Sequence, residues 1–221
     1  ATIDNIVNLG IETIDFQKII DKYNVPFKIK NDSKAAAIAE KRYGSLVKYK
    51  DSVFLCLGTG IGSAVFLNGK LLQSNRNIGF ELGHMIIDKN GLECNCGKRG
   101  CFETYCSIKK FKESAKKILN AGELVPEELI NRIKKDMHNT EIKNIINEYI
   151  NNLIIGLSNI IDIFEPQAIC LGGSFVYFKD IFYKRLIEEI NERKYIFNKK
   201  SMPEIVLAEL KNDAGIIGAV L

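Results

Sequence analysis

The chain has 221 residues, 46% hydrophobic and 26% charged, with a formal net charge of +4 at neutral pH. That length suits one large domain or two small ones with a real core, and no apolar run reaches the roughly 18 residues needed to span a membrane. Lysine clusters near 115–117 and 133–135 lack interleaved aromatics, so they read as solvated helix faces rather than a nucleic-acid surface.

In chain order, the alanine-rich stretch 33–43 follows Asn31-Asp32, a capping signal, and predicts a helix ending near Gly44. Short β-rich runs at 52–57 and 62–67 flank "GTGI", and Asn68-Gly69 offers a tight turn into "KLL". Residues 108–121 and 126–137 read as amphipathic helices, the second opening on Pro126. From 141 to 164 apolar residues recur at helical spacing until Pro166 stops the run. "AICLGG" predicts a buried strand ending in a glycine turn, 179–193 a helix, "EIVLAEL" a strand, and the tail from Asp213 a helix. Strands alternating with helices predict an α/β protein.

Of six cysteines, Cys56 and Cys170 sit in apolar runs and read as core, with Cys106 structural. No basic-then-apolar leader opens the sequence, so reduced thiols and a cytosolic location are expected. The other three, Cys94, Cys96 and Cys101, lie among glycines at 97 and 100, ten residues and more beyond His84. One nitrogen and three sulfurs make a closed tetrahedral zinc set. A Cys-x-Cys pair lacks the CxxC helix context of redox motifs, and zinc is the stronger reading. His138, on a polar helix end, receives no role.

"ELGH" at 81–84 followed by "CNCGKRGCFE" at 94–103 resembles the paired signature of the ROK family of repressors and sugar kinases. "GTGIGSAVFLNGKLL" resembles that family's second phosphate loop and hairpin, "NDSKAAAIAE" its NDxNAAAxGE segment, and "CLGGS" its adenosine-side turn. The resemblance implies the actin-like, ribonuclease H-like ATPase fold of sugar kinases with a structural zinc. It covers the C-terminal two thirds of the family pattern; the opening DxGGT loop does not occur, which implies a fragment. By the resemblance, 1–31 would be the remainder of a small domain. Residues 32–205 would form the large domain with sugar and zinc sites, and 206–221 a helix returning to the small domain. Ser33 and Lys34 depart from the pattern, which favours Ala and Asn there.

What the resemblance implies for function is ATP-dependent phosphorylation of a hexose or N-acetylhexosamine hydroxyl. Asp32 would accept the hydroxyl proton. Asn31, Glu81, His84 and Glu103 would hold sugar hydroxyls, with His84 also on zinc. Gly58, Thr59 and Gly60, together with Gly62, would approach the ATP phosphates, and Gly172, Gly173 and Ser174 the adenosine. Mg²⁺ would arrive with ATP. A homodimer is implied, and no membrane partner. The alternative is the sugar-sensing domain of a ROK repressor, in which case nucleic acid would be a partner of the whole protein.

Overall fold

Two compact units, residues 1–31 and 32–221, make up the computed structural model. Its described residues are 2–6, 11–23, 26–75, 79–193 and 202–221. In the first unit β1 (Thr2–Ile6) pairs antiparallel with β2 (Ile11–Asp15), setting Thr2 opposite Asp15 and Ile6 opposite Ile11. The Asp15 carboxylate accepts the Gln17 amide at 2.8 Å and so opens α1 (Gln17–Tyr23). Sequence reading assigned no element here, because five-residue strands carry too little periodicity to stand out.

The second unit begins with α2 (Asp32–Tyr43), followed by the hairpin of β3 (Ser52–Leu57) and β4 (Ile61–Leu67) and the short β5 (Lys70–Leu71). A five-residue helix, α3 (Phe102–Cys106), runs through Ser107 into α4 (Ile108–Ile118), and α5 (Pro126–Lys135) and α6 (Thr140–Phe164) come next. Then come β6 (Ala168–Gly172), α7 (Lys179–Glu192), β7 (Glu204–Leu207) and α8 (Asp213–Ala219). Asn139 starts α6 by accepting the amides of Glu141 and Ile142. Glu165 ends it in the left-handed region at φ 43°, just before Pro166.

Among the described residues the sheet order is β5-β4-β3-β6-β7. The β5-β4-β3 side is antiparallel, and β3-β6-β7 is parallel, with Cys56 opposite Gly172. β3 and β6 are covered on both faces, which is why they read as unbroken apolar runs. The two-residue period then assigns each side chain. Val53, Leu55, Leu57, Ile169 and Leu171 join the large core with α3 to α7. Phe54, Ala168 and Cys170 face the smaller core of Ala37, Leu46, Phe66 and Ala208. α8 packs on α2 within the second unit. The two helices meet closely where Gly218 of α8 faces Ala35 of α2: a Cβ on Gly218 would overlap the Ala35 carbonyl. No helix among the described residues is long and apolar enough to cross a membrane.

Candidate functional site

Adjacent parallel strands β3 and β6 both end in glycine turns, so their carboxyl ends open onto one place. In open α/β sheets that is where ligands bind. After Leu57 the chain turns tightly, the Gly58 amide donating to the Gly60 carbonyl at 2.9 Å. After Gly172, Gly173 adopts φ 67° and lies so close that a Cβ there would stand 2.8 Å from the Leu57 carbonyl. Ser174, the next residue, lines a cleft of about 690 Å³ with Val125, Pro126, Tyr177 and Asn212. The sequence-derived phosphate and adenosine residues of the second unit are thus brought together.

α2 packs on β3 and β4 and so brings Asp32 to the same end. The Asp32 Oδ1 accepts the Ser33 amide at 2.7 Å and the Ser33 hydroxyl at 3.4 Å. A helix cap would instead accept an amide two or three residues on. Ser33 in turn hydrogen-bonds the Cys56 thiol; burial, the larger influence, raises that thiol's pKa. Asn31 closes the first unit, immediately before Asp32.

The loop carrying Glu81 and His84 is fastened to β4 by Ser63, a buried residue that sequence reasoning missed. Its hydroxyl donates to the Phe80 carbonyl at 2.6 Å and accepts the Leu82 amide at 2.9 Å. Nothing in the sequence marks one strand serine among its neighbours. Glu81 stands at the start of the short 3₁₀ turn Leu82–His84, its carboxylate 3.6 Å from the Lys34 ammonium, which also reaches the Gly79 carbonyl at 3.4 Å. The lysine that departs from the family pattern therefore sits against a candidate sugar residue.

The ligand atoms of His84, Cys94, Cys96 and Cys101 all lie within 4.8 Å of one another. Cys96 and Cys101 sulfurs are 3.6 Å apart, and His84 Nδ1 is 3.7 Å from the Cys94 sulfur. A Zn–S bond near 2.3 Å sets tetrahedral sulfurs about 3.8 Å apart, so the four side chains fit a zinc ion. Burial and the neighbouring thiols push the Cys101 thiol up to about 12. For Cys96 burial works upward, but the Lys98 amide and the Cys94 and Cys101 thiols outweigh it and draw the thiol down. The Lys98 ammonium donates to the His84 carbonyl at 2.9 Å, tying the two halves of the cluster.

Glu103, in the first turn of α3, does more than the sequence suggested. One oxygen accepts the Ile61 amide at 3.0 Å, and the other lies 3.8 Å from His84 Nδ1 and 3.6 Å from the Cys94 sulfur. α3 itself is held on α6: the Tyr149 hydroxyl donates to the Cys106 carbonyl at 3.0 Å, and the fully buried Phe102 ring seats against Gly156.

Comparison with known proteins shows the family and the fold. The sequence pattern of the ROK family matches residues 1–221. The xylose repressor of Bacillus subtilis (strain 168) is 33% identical over 85% of this chain and 48% of its own length. The glucokinase of Thermotoga maritima is 30% identical over 86% of this chain and 63% of its own. The chain thus spans about half to two thirds of the length of these relatives. A ROK-family glucokinase from Streptomyces griseus, solved with glucose and AMPPNP, superposes with a TM-score of 0.75 over 92% of this chain and 70% of that one. At 23% identity that likeness is one of fold, an α/β fold with a mixed sheet.

Proposed function

Since the chain belongs to the ROK family, we propose that its protein is an ATP-dependent kinase for a hydroxyl of a hexose or N-acetylhexosamine. The observation that carries this reading is the meeting of the two glycine turns at the ends of β3 and β6, with Asp32 on the helix packed beside them. A sugar-binding domain that only senses its ligand needs neither the turns nor a base.

Phosphoryl transfer is achieved mainly by positioning and charge stabilisation, plus a carboxylate to take the hydroxyl proton. Asp32 is that carboxylate; the hydrogen bonds from Ser33 hold it on one oxygen and aim the other. Backbone amides at Gly58, Thr59 and Gly60 approach the phosphates. Gly172, Gly173 and Ser174 meet the adenosine along the cleft that Ser174 lines. Mg²⁺ comes with ATP. Glu81, His84 and Glu103 read the sugar hydroxyls, each of which both donates and accepts.

His84, Cys94, Cys96 and Cys101 are the residues that would hold zinc, which supplies structural rigidity and takes no part in the transfer. Because Nδ1 of His84 faces the cysteines, its Nε2 is the nitrogen left to meet a hydroxyl.

The xylose repressor of Bacillus subtilis, at 33% identity, favours a second reading as the sugar-sensing part of a ROK regulator. ADP release by the whole protein, with glucose, fructose, mannose and their N-acetyl amines, separates the two. Turnover on at least one sugar is expected. Sugar binding with no turnover on any of them would move the assignment to the regulator, whose remaining chain would meet DNA.

A further inference from the structure

The stretch leaving the cysteine cluster grips the Gly58–Gly60 turn at both ends. At one end the Lys109 amide, at the start of α4, donates to the Gly58 carbonyl at 3.1 Å. At the other, the Glu103 carboxylate accepts the Ile61 amide at 3.0 Å. The fit is close: a Cβ on Gly60 would overlap Glu103 Oε2. Glu103 is two residues beyond Cys101, the residue that caps α3, and its second oxygen rests against His84 and Cys94. One carboxylate thus touches the metal-ligand set with one oxygen and the turn with the other.

We infer that Glu103 is a positioning residue through which the occupied cysteine–histidine cluster fixes the phosphate turn, so that order in the turn depends on the metal. This goes beyond sugar contact, and it rests on residues 58–60 being the phosphate turn. A charge-assisted bond from a backbone amide to a carboxylate is among the stronger single tethers a loop can have. Its partner must itself be immobile. Glu103 is anchored by α3, and α3 begins at a ligand of the cluster. Stripping the ion lets Cys101 and the start of α3 relax, and Glu103 with them.

Hydrogen exchange of the segment 57–63 in the intact protein tests this without any assay of activity. In zinc-loaded protein, Glu103→Ala should speed exchange at Ile61 by roughly ten- to a hundredfold, the range expected for losing a hydrogen bond to a charged partner. Chelating wild-type protein should do the same. Chelating the Glu103→Ala variant should add little further at this segment, because the two perturbations act along one path. Glu103→Gln keeps an acceptor oxygen and should fall between, which preserves the test if the alanine variant folds poorly. Glu93→Ala, which removes only a surface pair with Arg99, should leave the segment unchanged. Unchanged exchange in both Glu103 variants, or chelation that loosens wild-type and variant equally, would overturn the inference. Binding of AMPPNP, measured alongside, should weaken with exchange. If wild-type protein binds no AMPPNP, the phosphate-turn assignment fails, while the exchange data still decide whether Glu103 links cluster and turn.

Discussion

At the scale of single residues, Asp32 and Glu103 show how one carboxylate serves two partners. Asp32 commits Oδ1 to Ser33, and in the proposed mechanism its other oxygen takes the hydroxyl proton. Asp32→Asn retains an acceptor for the Ser33 amide but cannot take a proton. In the whole protein it should preserve sugar binding and lower the rate of ADP release roughly 10²–10⁴-fold, the usual loss when a general base is removed. Equal turnover by variant and wild type would remove Asp32 from that role. Lys34 makes a contrasting case. Its ammonium lies 3.6 Å from Glu81 with only 15% of the side chain exposed, so Lys34→Met should act on sugar affinity more than on turnover.

At the scale of elements, the cysteine loop and α3 behave as one part. Cys96→Ser should lose most of about one bound zinc per chain, read by elemental analysis, since a closed tetrahedral site tolerates no missing ligand. Chelated protein that keeps full stability would contradict a structural role for the ion. α3 is seated on α6 where Phe102 fills the space above Gly156. Two effects compete in Gly156→Ala. Alanine gains about 1 kcal/mol of helix propensity over glycine. Against this, its methyl would overlap a fully buried ring, and overpacking a filled core costs about 1–3 kcal/mol. The ring can move only by displacing α3, so the clash should win and lower the melting temperature. Glu103 would be displaced with it, and sugar affinity should fall as well. A variant of raised stability would mean that α3 gives way without loss.

At the scale of the whole molecule, what was legible in the sequence followed the strength of local patterning. α6 showed itself because apolar residues recur along 25 positions, and β3 and β6 because both faces are buried. The ligand set of the candidate metal centre was legible because three cysteines fall within eight residues. α3 was not, since five residues hold less than two turns of period; α8 was legible as a helix, but its packing on α2, far off in sequence, was not. Ser63 and the Glu103–Ile61 bond were invisible for the same reason: both depend on tertiary contact. The large core offers a last test of the molecule as a unit. Tyr149 is fully enclosed, stacked on Phe182 at 4.4 Å and edge-on to Phe111, and its hydroxyl donates to the Cys106 carbonyl. Burial holds its pKa well above the ordinary value of 10.0. A phenol raised in the folded state contributes its full stability below the unfolded value, near pH 10, and loses it as pH climbs from there toward the folded value. Above pH 10 the unfolded chain gains about 1.4 kcal/mol per pH unit by ionising a tyrosine that the folded chain keeps neutral. Tyr149→Phe should therefore be less stable than wild type at pH 7 by about 1 kcal/mol, the worth of the lost hydrogen bond. That deficit should shrink above pH 10 and reverse roughly one unit higher, because phenylalanine has nothing to ionise. Urea melts at pH 7, 9, 10 and 11 would read the crossing, and parallel stability curves for the two proteins would show that Tyr149 ionises without unfolding.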